Sequence, residues 1–176
     1  MRHIQQLWLV VLCLSLLSPG MAREPVTLPK GILYLAPYSA PVTELKDLDG
    51  EPYNLKEDNG TWVFVHFWAS WCGPCREEMP AIQNMARTLQ AEGLKLAMIN
   101  TAEDEDTVFS FLSAHAPEVR PLMDRDGQVT EKWQPRGLPA TYLVDPNGQV
   151  RYQALGGRAW DTHPYLTFLR HLMTSK

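Results

Sequence analysis

Two cysteines separated by two residues are the side chains of this sequence best suited to chemistry. They are Cys72 and Cys75, in the stretch WCGPC. Residues 61–68, just before them, are almost all β-branched or aromatic and predict a strand buried on both faces, and the apolar spacing after them predicts a helix. The first sulfur would then lie at a helix N-terminus, where unpaired N–H groups favour a thiolate and lower the pKa of a thiol. We expect Cys72 to be the nucleophile, exposed at the tip of the turn, and the more buried Cys75 to resolve a mixed disulfide.

The third cysteine, Cys13, falls in a segment with the pattern of a secretory signal peptide. Residues 1–22 contain a basic residue near the start, an 11-residue apolar block over residues 7–17 and small residues at the end. The block is short for a membrane span, which needs about 20 residues, although an uncleaved anchor is the alternative. Cleavage would leave Cys72 and Cys75 as the only thiols. A bridge between them closes too small a loop to stabilise a fold much, so an exported pair of this kind suggests a chemical task.

Composition and charge exclude several classes of protein. The chain has 176 residues, of which 45% are apolar and 20% charged, so it is long enough for one domain with a core and too apolar to be disordered throughout. After residue 22 it carries 15 basic and 20 acidic side chains. Because nucleic-acid binding needs clustered Lys and Arg to neutralise phosphates, this acidic balance argues against a nucleic acid as a partner.

The remaining pattern predicts an α/β domain over residues 42–176, preceded by a linker or an extended arm over residues 23–41. The arm contains four prolines and little periodicity. Within the domain, apolar periodicity and turn residues predict strands and helices without any internal repeat. The predicted elements are a hairpin over 45–55, strands over 61–68 and 94–100, helices over 75–92 and 103–115, antiparallel strands over 140–144 and 149–154, and a last helix that begins near Pro164.

The stretch FWASWCGPCREEMP, residues 67–80, closely resembles the thioredoxin superfamily and, more narrowly, the exported TlpA/ResA-like thiol–disulfide oxidoreductases. The leading hairpin, the EMP triplet at residues 78–80 and the GLPAT stretch at residues 137–141 also fit that subgroup. The resemblance runs from about Val42 to Leu172. It implies an α/β thioredoxin fold, in which a central mixed sheet carries helices on both faces and an N-terminal β-hairpin is added.

The resemblance also implies where a substrate docks. It places a cis peptide bond at Leu138–Pro139, facing Cys72. A proline at this position offers no N–H and leaves the preceding backbone free to pair with an extended substrate segment next to the sulfurs. The substrate-binding residues that the resemblance implies, besides Pro139, are Trp71, Gly73, Pro74 and Leu138.

Two further residues are candidates for moving protons. Glu78 lies three positions after Cys75 and so projects from the same side of the helix; the resemblance implies that it takes the proton of Cys75, and the alternative is a solvated helix acid. His66 stands six residues before Cys72, where thioredoxin has a buried aspartate. It could relay protons, or it could be a neutral core histidine bonded to a backbone carbonyl.

The resemblance implies an enzyme, an exported thiol–disulfide oxidoreductase that needs no cofactor. A Gly-Pro pair between the cysteines is the thioredoxin pair, which lies at the reducing extreme of this chemistry. We therefore expect reduction of selected protein disulfides, for example at cytochrome c haem sites or oxidase copper sites, with electrons from a membrane thiol-transfer protein. We expect a monomer in the periplasm or otherwise exported, with a membrane tether through residues 7–17 if the signal is not cleaved.

Three alternative functions stay open on the residues alone. A thiol oxidase or isomerase could have the same fold. Two thiolates at this spacing could also bind Cu(I) in a copper-handling module, whereas zinc would need two more ligands that the sequence does not supply. A peroxidase of the related peroxiredoxin type is disfavoured, because the CxxC pair with Trp71 replaces an isolated cysteine in a threonine-containing loop.

Overall fold

The structure is a computed structural model that describes residues 27–174. The predicted signal peptide with Cys13, its alternative role as a tether, and the first part of the predicted arm lie outside the described residues. Within residues 27–174, no helix combines the length and the apolar character needed to cross a membrane.

One mixed sheet of eight strands organises the described chain. Its strand order is β1-β8-β7-β4-β5-β6-β2-β3; β4 pairs in parallel with β5 and β5 with β6, and the other pairs are antiparallel. The predicted mixed sheet is confirmed, and β2 and β3 form its last two strands. The elements are β1 (Ile32–Ser39), β2 (Glu44–Asp47), β3 (Pro52–Asn54), a 3-10 turn (Leu55–Asp58), β4 (Val63–Trp68), α1 (Gly73–Leu89), β5 (Lys95–Thr101), α2 (Glu105–His115), β6 (Pro121–Asp124), α3 (Gln128–Trp133), β7 (Ala140–Val144), β8 (Gln149–Leu155) and α4 (His163–Thr174).

Strand β4 lies at the centre of the sheet and is buried along its whole length. Its side chains alternate between two apolar clusters: Phe64 and Trp68 face the cluster formed with α1, α2 and α4, while Val65 and Phe67 face the cluster formed with α3. Helices therefore cover both faces of the sheet. This explains why the strand reads as a continuous apolar run rather than as an alternation.

Part of the predicted arm is a strand of the sheet. Residues Ile32–Ser39 form β1, which pairs antiparallel with β8 at one edge. Pro37 is accommodated because the register shifts between Tyr34 and Tyr38, so the ladder does not need a donor at the proline. The arm is thus integral to the sheet from Ile32 onward.

The segment between α2 and β7 contains two elements that the sequence pattern did not predict, β6 and α3. They have four and six residues, too few for a periodic signal. Asp124, at the end of β6, is buried and holds the start of α3. Its Oδ1 accepts from the Val129 N–H at 3.0 Å, and its Oδ2 accepts from the N–H and hydroxyl of Thr130 at 2.7 and 2.6 Å.

We predict that Asp124→Ala lowers the free energy of unfolding by about 2–4 kcal/mol, because it leaves the N–H groups of Val129 and Thr130 without an acceptor in a buried region. The matched control is Glu131→Ala, an exposed acid in the same short helix, which should change stability by about 0.5 kcal/mol or less. Urea denaturation followed by circular dichroism measures both. Equal stabilities of the two variants would contradict the anchoring role of Asp124.

Candidate active site

The two cysteines of the motif are joined in a disulfide at the start of α1, just after the turn that connects it to β4. Their Cα atoms are 5.3 Å apart. Cys72 is the N-cap residue of α1, with an extended backbone, and its Sγ accepts a hydrogen bond from the N–H of Cys75 at 3.3 Å. The helix N-terminus thus directs an amide donor onto the first sulfur, which is the arrangement that favours a thiolate there once the disulfide is opened.

The two sulfur-bearing residues differ in access. Cys72 retains 6% of its exposure, and Cys75 retains none. Cys72 is therefore less exposed than the sequence predicted. The reason is that its side chain turns inward to Cys75 and packs into the apolar cluster against α1 and α4. Any sulfur that approaches from outside reaches Cys72 before Cys75.

The residues expected to bind substrate near Cys72 differ in their exposure. Trp71 is 67% exposed, so its indole stands out beside Cys72. Pro74 is exposed as well, and Gly73 is half-buried. Leu138 is half-buried and packs against the cluster that contains both cysteines.

The Leu138–Pro139 peptide bond is cis. The pairing of β7 with β4 sets Ala140 opposite Phe67, so Pro139 falls beside the carboxyl end of β4, where the chain turns toward the cysteines. Pro139 is buried, and its carbonyl accepts from the Gly156 N–H at 2.9 Å.

Glu78 is not a solvated helix acid. It is 4% exposed, and both donors to its Oε2 come from the loop before α4. The Arg158 backbone N–H donates to Oε2 at 2.9 Å, and the indole Nε1–H of Trp160 donates at 3.1 Å. The carboxyl group is therefore held on the buried side of α1, one turn after Cys75.

His66 is fully buried on β4 and is bonded to a side chain rather than to a backbone carbonyl. Its Nδ1 lies 2.9 Å from the hydroxyl oxygen of Thr141 on β7, and its Nε2 lies 3.2 Å from Oε1 of Glu78. His66 is therefore buried in the core, as one of the two alternatives predicted, but its ring faces the ionisable side chain of Glu78.

Glu103 is a site residue that the sequence analysis missed. Its carboxylate accepts from the Ser70 N–H at 2.7 Å, from the Ser70 hydroxyl, and from the Asn100 side-chain amide at 2.7 Å. Ser70 lies in the turn between β4 and Cys72, so Glu103 fixes that turn. Because β4 and β5 are parallel neighbours, their carboxyl ends meet at one edge of the sheet, and this rule could have pointed to Glu103.

The loop before α4 packs against the cysteine motif at the start of α1. A Cβ atom on Gly157 would lie 3.0 Å from the carbonyl oxygen of Pro74, so the loop backbone packs directly on the helix start. The same loop supplies Arg158 and Trp160 to Glu78.

Residues 38–153 match the AhpC/TSA family. The chain is 31% identical over 111 residues to the thiol-disulfide oxidoreductase ResA of Bacillus subtilis, which is 63% of this chain and 62% of that protein. It is 33% identical over 113 residues to ResA of Geobacillus thermodenitrificans, 64% of this chain and 65% of that protein. The chain thus spans just under two thirds of the length of these curated relatives.

Solved structures agree with the sheet topology. A Chlorobium tepidum protein described as a thiol:disulfide interchange protein DsbE is 28% identical with a TM-score of 0.70, covering 84% of this chain and 99% of that one. The thioredoxin domain of a thiol-disulfide oxidoreductase from Bacteroides vulgatus is 25% identical with a TM-score of 0.66, covering 78% and 99%. The predicted thioredoxin fold is confirmed.

We predict that Glu103→Gln lowers the free energy of unfolding by about 1–3 kcal/mol, because the amide presents donors to the donors of Ser70 and Asn100. Glu105→Gln is the matched control: Glu105 forms an exposed ion pair with Arg125 at 3.2 Å, which contributes about 1 kcal/mol at most. Urea denaturation of the oxidised proteins compares them, and a larger loss in the control variant would argue against the anchoring of the turn by Glu103.

Proposed function

The chain belongs to the AhpC/TSA family, and from that premise we propose that it is an exported thiol–disulfide oxidoreductase that reduces disulfides in selected protein substrates. The observation that carries the proposal is the asymmetric disulfide. Cys72 caps a helix and keeps the only access from outside, while Cys75 lies fully buried behind it. This is the geometry of a nucleophile and a resolving thiol.

The exchange has two steps. In the reduced protein, the Cys72 thiolate attacks one sulfur of a substrate disulfide; a bond forms to Cys72, and the other substrate sulfur leaves with the electron pair of the broken bond. Cys75 then loses its proton and attacks Cys72. The Cys72–Cys75 bond forms, the second substrate sulfur leaves as a thiolate, and the protein has given two electrons to the substrate.

The proton of Cys75 needs a buried acceptor, because water cannot reach that thiol. Glu78 supports this role, since its carboxyl group is buried on the same helix, one turn further on. The donors to Oε2 keep the carboxyl group in place. In the proposed reaction Glu78 acts as the base of the resolving step.

The exposed indole of Trp71 and the cis proline turn supply a docking edge. No backbone hydrogen bond within residues 27–174 engages Leu138, so its peptide groups are available to an extended segment of a substrate. Leu138 and Trp71 would contact the residues that flank the substrate cysteine. Backbone pairing of this kind recognises an extended conformation more than a particular sequence.

Reduction is the favoured direction, since the Gly-Pro pair is that of thioredoxin. The resemblance to TlpA/ResA-like proteins favours metal-site cysteines of cytochromes or oxidases as substrates and a membrane thiol-transfer protein as the electron donor. Export follows from the signal-like pattern of residues 1–22.

We predict that the mature chain accelerates insulin reduction by dithiothreitol and that Cys72→Ser abolishes the acceleration, because no other accessible thiol can begin the exchange. Ser113→Ala, an exposed change on α2, is the control and should keep the full rate. The rate of insulin precipitation is the measurement. Equal rates for Cys72→Ser and the unmodified chain would defeat the proposal. Uptake of one Cu(I) without any disulfide exchange would favour a copper-handling module instead.

We also predict a single two-electron couple close to the reducing end of the scale, nearer to about −270 mV than to about −120 mV. The measurement is equilibration of the mature chain in mixtures of reduced and oxidised dithiothreitol, with the fraction of Cys72–Cys75 disulfide determined by thiol alkylation. A midpoint near that of strong oxidants would reverse the direction and make the protein a thiol oxidase.

A further inference from the structure

The contact between His66 and Glu78 is a buried pair of ionisable groups of which the reaction above uses only the carboxyl. His66 Nε2 lies 3.2 Å from Glu78 Oε1, and the two side chains are 0% and 2% exposed. Neither atom is in hydrogen-bond geometry with any partner within residues 27–174, so the contact between them is an approach to within ion-pair distance. Because buried polar atoms almost always find a partner, each of these atoms depends on the other.

The two oxygens of Glu78 are not equivalent toward a proton. Oε2 faces the backbone N–H of Arg158 and the indole N–H of Trp160, and both groups can only donate. A proton on Oε2 would be directed against these donors. A proton that reaches the carboxyl group is therefore held at Oε1, the oxygen that faces His66.

The second ring nitrogen of His66, Nδ1, contacts a hydroxyl group that can act as a hydrogen-bond donor or as an acceptor. Nδ1 of His66 lies 2.9 Å from the hydroxyl oxygen of Thr141, and a hydroxyl can donate or accept. When Nδ1 is unprotonated, Thr141 donates to it, and the N–H is on Nε2, which lies 3.2 Å from the carboxylate. When Nδ1 carries a proton, Thr141 accepts it, and a further proton is held between Nε2 and Oε1.

Apart from Glu78, the neighbours of His66 among the described residues are uncharged. The His66 ring stacks on Phe64 of its own strand at 5.8 Å and pairs in register with Met98 on β5, both apolar. Glu78 on α1 and the uncharged Thr141 on β7 are its polar contacts among the described residues. The guanidinium of Arg158, in the loop before α4, is directed at the carbonyls of Gly31 and Leu155 rather than at the pair.

We propose that His66 is a positioning residue that shares the proton of Glu78 at Oε1, so that the pair, and not the carboxyl group alone, takes up the proton of Cys75. This inference rests on the proposed function. In the resolving step the S–H bond of Cys75 breaks and its proton passes to the pair. The sulfur electron pair forms the bond to Cys72, and the bond between Cys72 and the substrate breaks with its pair on the departing substrate sulfur.

Uptake of the proton of Cys75 changes the charge of the buried pair by one. With one proton the pair carries one negative charge, which the two donors on Oε2 stabilise. With two protons it has no net charge, which burial favours. Because the two groups are in contact, removal of either one should change the proton position on the other.

The test separates the two steps of the exchange. Reduced protein is mixed with an excess of a peptide disulfide in a stopped-flow instrument between pH 5 and pH 9, and the release of both peptide thiols is followed. The first release reports the attack by Cys72 and depends on peptide concentration; the second reports resolution by Cys75 and does not. We expect His66→Asn to slow the second release by about tenfold or more at pH 7 and to alter its pH profile, with the first rate constant within about twofold of the unmodified value.

Matched variants distinguish this role from a structural one. Thr141→Val should also slow the second release, and Thr141→Ser, which keeps the hydroxyl, should restore most of the rate. His115→Asn is the matched control, because it makes the same change at a histidine of α2. The His115 ring stacks on Phe111 and its Nδ1 bonds the backbone carbonyl of Phe111. An unchanged second release and pH profile in His66→Asn would overturn the inference, and so would an equal slowing of both releases.

A second measurement remains decisive if His66→Asn fails to fold. Nitrogen-15 NMR of the His66 ring in the oxidised protein reports which ring nitrogens carry protons as the pH changes. Glu78→Gln should shift that titration, and an unshifted titration would overturn the inference. If the unmodified protein exchanges no disulfide, the proposed function fails, whereas the NMR titration still reports whether His66 and Glu78 share a proton.

Discussion

The structure depends on the hydrogen bond that the start of α1 makes to the sulfur of Cys72. The bond exists because a fully buried strand ends one short turn before the helix, so the N–H of Cys75 in the first turn of α1 reaches the N-cap side chain. Everything near the site preserves this turn. Glu103 holds Ser70 on one side, Pro139 closes the end of β7, and the loop at Gly157 packs on the helix start. Each of these contacts helps a thiolate at Cys72 indirectly, because it holds the turn and the helix start in place without contacting the sulfur.

Burial of polar groups next to the sulfurs is costly for folding and suits the chemistry. Removal of the Glu78 carboxyl group from water costs hydration, which the two N–H donors to Oε2 replace in part. A buried ion-pair partner such as His66 adds little stability by itself. Groups of this kind, retained in a core that could be apolar, are typical of sites where a proton must move.

Local patterns were sufficient for the parts of the fold with strong periodicity. The strands predicted over 61–68, 140–144 and 149–154 lie within two residues of β4, β7 and β8, and the helix predicted over 75–92 lies within three residues of α1. The short elements β6 and α3 carried too few residues for a pattern, and β1 was hidden by prolines that its edge position tolerates. At the site, Cys72 and Cys75 could be found from spacing. The partners of Glu78 could not, because Arg158 and Trp160 are 80 and 82 positions away and meet it only through the tertiary fold.

The closeness of Gly157 to Pro74 has a consequence for the choice of substrate. The loop backbone packs on the helix start at Pro74, and Cys72 itself keeps only 6% of its exposure. In the proposed exchange, a disulfide inside a rigid folded domain reaches so little exposed a sulfur with difficulty. A cystine on a loose, unfolded stretch of chain reaches it more easily. The flexibility of the substrate segment then matters more than its sequence in the proposed exchange.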